Sequence, residues 1–92
     1  MAPYNPPKGD SHYSQVNVKD YNEKMILCMI GKGGEGFYKL TDYLNMKYIW
    51  YDSDRKVIEL WGSYQHLKNG AKEKLEKRLK IFESTFVDKN IN

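Results

Sequence analysis

Cysteine and long apolar runs are almost missing from this sequence of 92 residues, and each absence excludes a class of protein. The single cysteine, Cys28, excludes an internal disulfide and an all-cysteine zinc site, and it fits a reducing compartment. No apolar run approaches the ~20 residues of a transmembrane helix, and the proline-rich start lacks the apolar segment of a signal peptide. We therefore expect one small intracellular domain, cytoplasmic or nuclear, that does not enter a membrane.

Candidate catalytic groups and metal ligands are also scarce. Neither His12 nor His66 has a second histidine, a cysteine or a carboxylate at a metal-ligand spacing. We find no nucleophile–base pair, no paired acids within a motif and no lysine in a cofactor-binding context. Cys28 lies inside an apolar run, which predicts a buried and unreactive thiol. The sequence therefore predicts no enzyme, no metal site and no small-molecule cofactor.

The charge is only weakly basic, at a formal +3, and it is unevenly distributed. In residues 14–63, seven basic residues balance seven acids, so the whole excess lies in residues 64–92. The lysines there predict a solvated helix face that adds at most a weak, salt-sensitive phosphate contact. Charge by itself is therefore no strong indication of nucleic-acid binding.

Hydrophobic spacing divides the chain into a short series of elements. Residues 1–12, with three prolines, predict a flexible tail, and residues 88–92 predict a frayed end. Residues 13–87 form the predicted domain. Its pattern predicts a strand at 13–18, a helix or strand within 22–30, a helix ending near Asn45, and a hairpin of "MKYIWY" and "KVIELWG" around the turn "DSDR".

The last helix is predicted to be continuous from a cap at Ser63 to the end of the domain. Gly70 falls inside this segment and weakens a helix by roughly 1 kcal/mol relative to alanine. The apolar positions that define the helix recur for about five turns: Leu67, Ala71, Leu75, Leu79, Phe82 and Phe86.

The run "MILCMIGKGGEGFY" contains four glycines in six residues and has two interpretations. In the first, Gly31, Gly33 and Gly36 form the G-x-G-x-x-G fingerprint of a dinucleotide site, with Asp52 as the ribose-binding acid. This interpretation requires a strand over residues 25–30. It also requires several parallel strands with helical crossovers, for which too few residues remain.

In the second interpretation, residues 22–30 are a helix and "GKGG" at residues 31–34 is a tight turn to the next helix. The sequence then resembles the eukaryotic-type KH domain, whose signature is an apolar pair, a G-x-x-G loop and two further apolar residues. The matching residues here are Met29, Ile30, the GKGG loop, Phe37 and Leu40. The hairpin and the last helix, with Ala71 and Leu75 facing inward, complete the family's order of elements. The resemblance covers residue 13 to about residue 86.

The resemblance implies both a fold and a ligand. The fold is α+β, type I KH-like, with a three-stranded antiparallel sheet packed on three helices in the order β-α-α-β-β-α. The ligand is single-stranded RNA or DNA, RNA more than DNA, of which such domains clamp about four nucleotides. Lys32 and the loop glycines would hold the phosphate backbone, because a turn of glycine amides at a helix start attracts anions.

By the same resemblance, the bases would lie in an apolar groove between the first two helices and the second strand. Tyr48 and Trp50 match the inward positions of that strand, which puts Ile49 and Tyr51 on its other face. Val57, Glu59 and Trp61 are expected on that same face. The predicted nucleic-acid-binding residues are Gly31, Lys32, Gly33, Gly34, Met25, Ile26, Leu27, Met29, Lys39, Lys47, Ile49, Tyr51 and Arg55.

The alternative function is a KH-like protein-interaction or dimerisation module with weak or no nucleic-acid binding. An exposed tryptophan and isoleucine on one sheet face would form an apolar patch that pairs with another chain. The sequence thus leaves open a homodimer through the sheet or through the C-terminal helix.

Overall fold

The computed structural model describes residues 4–7, 9 and 11–86. It is an α+β structure with a three-stranded antiparallel sheet. The predicted frayed end at 88–92, and residue 87 of the predicted domain, lie outside the described residues. The elements are β1 (His12–Asn17), α1 (Glu23–Ile30), α2 (Glu35–Leu44), β2 (Met46–Asp52), β3 (Val57–Gly62), α3 (Tyr64–Lys68) and α4 (Ala71–Thr85), with a 3₁₀ turn (Lys32–Gly34) between α1 and α2.

The sheet has the order β1-β3-β2, so β3 is the central strand and β2 is an edge strand. All six residues of β3 are buried, because the strand has a neighbour on each side and side chains over both faces. The inner face of the sheet packs against the helices. Its core residues and those of the helices are Val16, Ile49, Tyr51, Ile58, Leu60, Met25, Ile26, Met29, Ile30, Phe37, Leu40, Leu44, Ala71, Leu75 and Leu79.

Residues 23–30 form a helix and not a strand. The side chain of Asn22 caps this helix by accepting a hydrogen bond of 2.9 Å from the backbone N–H of Lys24. The dinucleotide interpretation, which required a strand at residues 25–30, is therefore wrong. No helix that the structure describes is both long enough and apolar enough to cross a membrane.

The segment after Ser63 is two helices, and the prediction of one continuous helix is wrong. Ser63 caps α3 as expected, with its hydroxyl accepting from the backbone N–H of His66 at 3.2 Å. The break follows at Gly70, whose φ of 99° belongs to the left-handed region that glycine adopts without penalty. The described structure therefore contains four α-helices instead of the three predicted.

The two faces of β2 are the reverse of the predicted ones. Ile49 and Tyr51 point into the core, whereas Tyr48 and Trp50 lie on the outer face, where Tyr4 packs against them. Across the ladder, Tyr48 is paired with Trp61 and Trp50 with Glu59. Trp61, Glu59 and Val57 therefore share the outer face with Tyr48 and Trp50, and not the face of Ile49. The expected joint patch of exposed tryptophan and isoleucine does not form.

Cys28 is exposed, so the prediction of a buried thiol is wrong. The whole run around it is apolar, but a helix buries only one stripe of such a run. The buried stripe of α1 consists of Met25, Ile26, Met29 and Ile30, whereas Leu27 and Cys28 face solvent.

Helices α1 and α2 touch through their backbones at Gly36. A Cβ atom added at Gly36 would lie 1.9 Å from the carbonyl oxygen of Met29 and 3.0 Å from that of Ile30. No side chain fits there without separating the helices, because both obstacles are backbone atoms. Gly36 therefore sets the distance between the two helices that flank the GKGG loop.

We predict that Gly36→Ala lowers the free energy of unfolding by about 3 kcal/mol, at the upper end of the overpacking range. Alanine alone would favour a helix by about 1 kcal/mol over glycine, so a net loss must come from the clash. Gly33→Ala is the control, because its Cβ would meet nothing within 4 Å and would only strain the backbone, by about 1 kcal/mol. Urea unfolding of both variants measures this, and equal losses would contradict the packing role of Gly36.

Candidate nucleic-acid interface

The GKGG loop, residues 31–34, is a tight turn built on three left-handed glycines. Gly31, Gly33 and Gly34 have φ values of 76°, 65° and 81°. Gly31 ends α1 by donating its N–H to the carbonyl of Leu27 at 3.1 Å, and Gly34 begins α2. Residues with side chains adopt these conformations only at some cost in strain, so glycine is favoured at all three positions.

Two hydrogen bonds inside the turn hold its tip outward. The N–H of Gly34 donates to the carbonyl of Gly31 at 3.2 Å, and the N–H of Glu35 donates to that of Lys32. Lys32 and Gly33 at the tip are exposed, and a Cβ added at Gly33 would meet nothing within 4 Å apart from its neighbours in the chain. An ammonium group and an open stretch of backbone are thus presented together, as a phosphodiester contact requires.

A groove runs from this loop along α2 and the edge strand β2; we call it the α2–β2 groove. It holds a cavity of about 90 Å³. Its lining is mostly apolar and aromatic, with one cationic side chain, that of Lys47. The lining residues are Gly34, Phe37, Tyr38, Thr41, Lys47, Tyr48, Ile49 and Trp50.

A β-bulge places Lys47 in this groove. Met46 is paired with Gly62 and Tyr48 with Trp61, so Lys47 is an extra residue on β2 with no partner on β3. Bulges of this kind redirect side chains next to binding sites. Lys47 is exposed at the groove, and a cation there suits a ligand with a phosphate backbone.

Acids near the site are partly neutralised by local ion pairs. Glu35, directly after the loop, lies 3.5 Å from the ammonium of Lys39, although both side chains are largely exposed and the pair contributes little stability. Asp52, the last residue of β2, accepts a hydrogen bond of 2.8 Å from Nε of Arg55. That bond is the main cause of the lowered pKa of Asp52.

Several predicted binding residues are not at the α2–β2 groove. Met25 and Ile26 are each 1% exposed, and Met29 is 8% exposed, so α1 turns them into the core. Leu27 is 54% exposed but does not line the groove. Arg55 lies in the β2–β3 turn and forms ion pairs with Asp52 and Glu59. The groove therefore lies between α2 and β2, without a wall from α1.

Of the remaining predicted residues, Gly34, Lys47 and Ile49 meet at the groove, and Gly31, Lys32 and Gly33 complete the adjoining loop. Ile49 is only 5% exposed and forms part of the groove floor. Lys39 lies on the opposite side of α2, at a second groove of about 380 Å³ between α2 and α4 that Tyr43, Arg78, Ile81 and Phe82 also line.

Tyr51 is buried and bound to a charged pair. Its hydroxyl donates to Oε1 of Glu23 at 3.0 Å, and Lys56 Nζ lies 2.9 Å from the same oxygen. The hydrogen bond from Lys56, followed by that from Tyr51, holds the pKa of Glu23 below its ordinary value. Burial, followed by the Glu23 hydrogen bond, raises the pKa of Tyr51. These contacts fix the start of α1 to the end of the hairpin.

Tyr38, Thr41, Tyr48 and Trp50 line the groove but were not predicted as binding residues. The amphipathic pattern of α2 shows Tyr38 and Thr41 as solvent-facing, and only the position of β2 beside them makes a groove. Tyr48 and Trp50 were missed because their face of the strand was assigned the wrong way.

Comparisons of the chain with models of known protein families, with curated proteins and with solved structures found no match. Among the described residues, no group of three or more histidine, cysteine or acidic side chains is placed to hold a metal ion.

The Glu23 contacts predict a specific pH dependence of stability. Because the folded state lowers the pKa of Glu23, these contacts stabilise the fold above the unfolded pKa of about 4.3 and are lost as the pH falls through the lower folded pKa. We expect Glu23→Gln to flatten part of the loss of stability below about pH 4.3. Chemical denaturation across this range measures it, with Glu76→Gln on the exposed side of α4 as the control. Parallel pH curves for wild type and Glu23→Gln would disprove the contribution.

Proposed function

We propose that this chain is a KH-like domain that binds single-stranded nucleic acid, RNA in preference to DNA, through the GKGG loop and the α2–β2 groove. One observation carries the proposal: an exposed, glycine-built loop with Lys32 at its tip opens directly onto an apolar, aromatic groove that contains a second lysine, Lys47. The loop suits the anionic sugar-phosphate backbone of a nucleic-acid strand, and the groove suits its planar bases.

The order of elements supports the KH-like assignment. The GKGG loop joins the first two helices, a hairpin follows them, and the sheet has the order β1-β3-β2. The division of the last segment into α3 and α4 and the exposure of Leu27 on α1 are departures within this plan. They leave the loop and the α2–β2 groove intact.

A single strand has a simple path across this surface. Its phosphates would pass the tip of the loop at Lys32 and Gly33, where the backbone is open. Its bases would then enter the groove beside Tyr38, over the floor formed by Ile49 and Phe37. Base stacking on aromatic side chains is tolerant of sequence, so this path gives affinity before specificity.

The alternative, a protein-interaction or dimerisation module, has less support on the sheet side. Trp61 is 9% exposed, and its ring is packed against Tyr4, Tyr13 and Tyr48. A dimer through the C-terminal helix remains a prediction. A stable dimer by size-exclusion mass, without oligonucleotide binding, would favour this alternative.

The loop is tested by Lys32→Asp combined with Gly33→Asp, which we expect to abolish binding of short single-stranded oligonucleotides while the fold is retained. The double change adds repulsion at the phosphate contact, and aspartate tolerates the left-handed conformation at position 33. Fluorescence anisotropy at low and moderate salt measures affinity, and circular dichroism measures folding.

A matched control carries the same change of charge at another exposed lysine-containing pair, Lys68→Asp combined with Asn69→Asp at the end of α3. This control is expected to retain most of the affinity. Wild-type affinity in the loop variant, or equal loss in both, would refute a specific role for the loop.

The groove is tested by two tyrosines of the same helix. Tyr38 and Tyr43 are 58% and 55% exposed, but only Tyr38 lines the α2–β2 groove. We expect Tyr38→Ser to weaken oligonucleotide binding by about 5- to 160-fold, the effect of losing one stacking contact of about 1–3 kcal/mol. Tyr43→Ser should leave binding within about twofold of wild type. Anisotropy titrations measure both, and a larger loss for Tyr43→Ser would move the site to the α2–α4 groove.

A further inference from the structure

The outer face of the sheet carries a cluster of aromatic rings that the helices do not cover. Tyr13, Tyr48, Trp50 and Trp61 come from all three strands, and we call them the outer aromatic face. Tyr13 and Tyr48 pack edge-on against Trp61 from its two sides, at 5.0 and 5.4 Å between ring centroids. Tyr48 and Trp50 are nearly parallel, 6.2 Å apart.

This face is occupied by the chain's own N-terminal segment. The ring of Tyr4 lies edge-on to Trp50 at 4.9 Å and to Trp61 at 5.9 Å. The backbone N–H of the next residue, Asn5, donates to the hydroxyl of Tyr48 at 2.8 Å. Pro6 and Pro7 follow, and both are half-buried. Residues 4–7 thus make the contacts of a docked peptide: an aromatic anchor, a backbone hydrogen bond and two prolines.

The chemistry of the face suits such a segment. Proline-containing peptides lose little conformational entropy on binding, and they dock on aromatic surfaces for that reason. The charge beneath the rings is already balanced, because Glu59 accepts a hydrogen bond of 2.6 Å from Tyr13 and pairs with Arg55 at 2.8 Å. The face therefore presents an apolar surface with one hydrogen-bond acceptor, the Tyr48 hydroxyl that the Asn5 N–H uses, and the Glu59 carboxylate beneath it already has partners.

From these contacts we infer that the outer aromatic face is a peptide-binding site for a Tyr-Asn-Pro-Pro segment, and that residues 4–7 are its resident ligand in the same chain. Recognition depends on the Tyr4 ring and on the Asn5 N–H, and not on the covalent link to β1. The site is separate from the GKGG loop. It shares Tyr48 and Trp50 with the α2–β2 groove, so its occupant contacts the back of two residues that line that groove.

The test uses the full chain with Tyr4→Ala, which vacates the site, and a synthetic peptide with the sequence of residues 1–11. The chain has two tryptophans, and both Trp50 and Trp61 contact Tyr4, so tryptophan emission reports directly on the site. We expect saturable binding of the peptide to the variant chain. A peptide with Tyr4→Ala should bind about tenfold more weakly, because it loses the ring that contacts both tryptophans. A peptide with Asn5→Pro, which has no N–H to donate, should also bind more weakly.

The wild-type chain provides a second measurement, in which the site is already occupied before the peptide is added. Its own segment competes at an effective concentration on the order of millimolar, so the same peptide should produce half its effect at a much higher concentration than with the Tyr4→Ala chain. Absence of peptide binding to the vacated chain, or equal binding of all three peptides, would overturn the proposal. So would a wild-type dimer that Tyr4→Ala dissociates, because the segment would then be exchanged between two copies.

Discussion

The backbone contact between α1 and α2 is the constraint on which the functional surface depends. At Gly36 the two helices approach until a single Cβ would collide with the carbonyl oxygen of Met29. The connection between the two helices is short, and it turns through residues with positive φ at Gly31, Gly33 and Gly34. The glycines at positions 31–36 therefore have two separate structural roles. Gly36 allows the helices to pack closely, and the loop glycines reverse the chain direction between them.

That arrangement determines what the loop and the groove can do together. Gly34 both closes the turn and lines the α2–β2 groove, so the tip at Lys32 stands at the mouth of the groove. The bulge on β2 adds Lys47 from the opposite wall. This surface suits a ligand that is anionic along one edge and planar and apolar along the other, which is the basis for proposing single-stranded nucleic acid.

Much of the fold could be predicted from local pattern, because α2, the hairpin and the cap at Ser63 each carry a strong signal of their own. The break at Gly70 could not, because the apolar spacing continues through it and only the backbone conformation ends the helix. The faces of β2 could not be assigned either. Large side chains stand on both sides of that strand, and the bulge at Lys47 shifts the alternation. Tyr4, eight residues before β1, covers part of the aromatic outer face from solvent by packing on Trp50. No short-range sequence pattern links Tyr4 to Trp50, so this contact could not be predicted.

A backbone-amide and tryptophan-indole NMR titration with a short single-stranded oligonucleotide tests the central claim most directly, since it locates the ligand residue by residue. The account predicts that signals of Lys32, Gly33 and Gly34 shift together with those of Tyr38 and Lys47, and that the indole of Trp50 shifts more than that of Trp61. Shifts confined to the lysines of α4 would contradict it. So would an absence of shifts at an oligonucleotide concentration that saturates a separate RNA-binding domain used as a positive control.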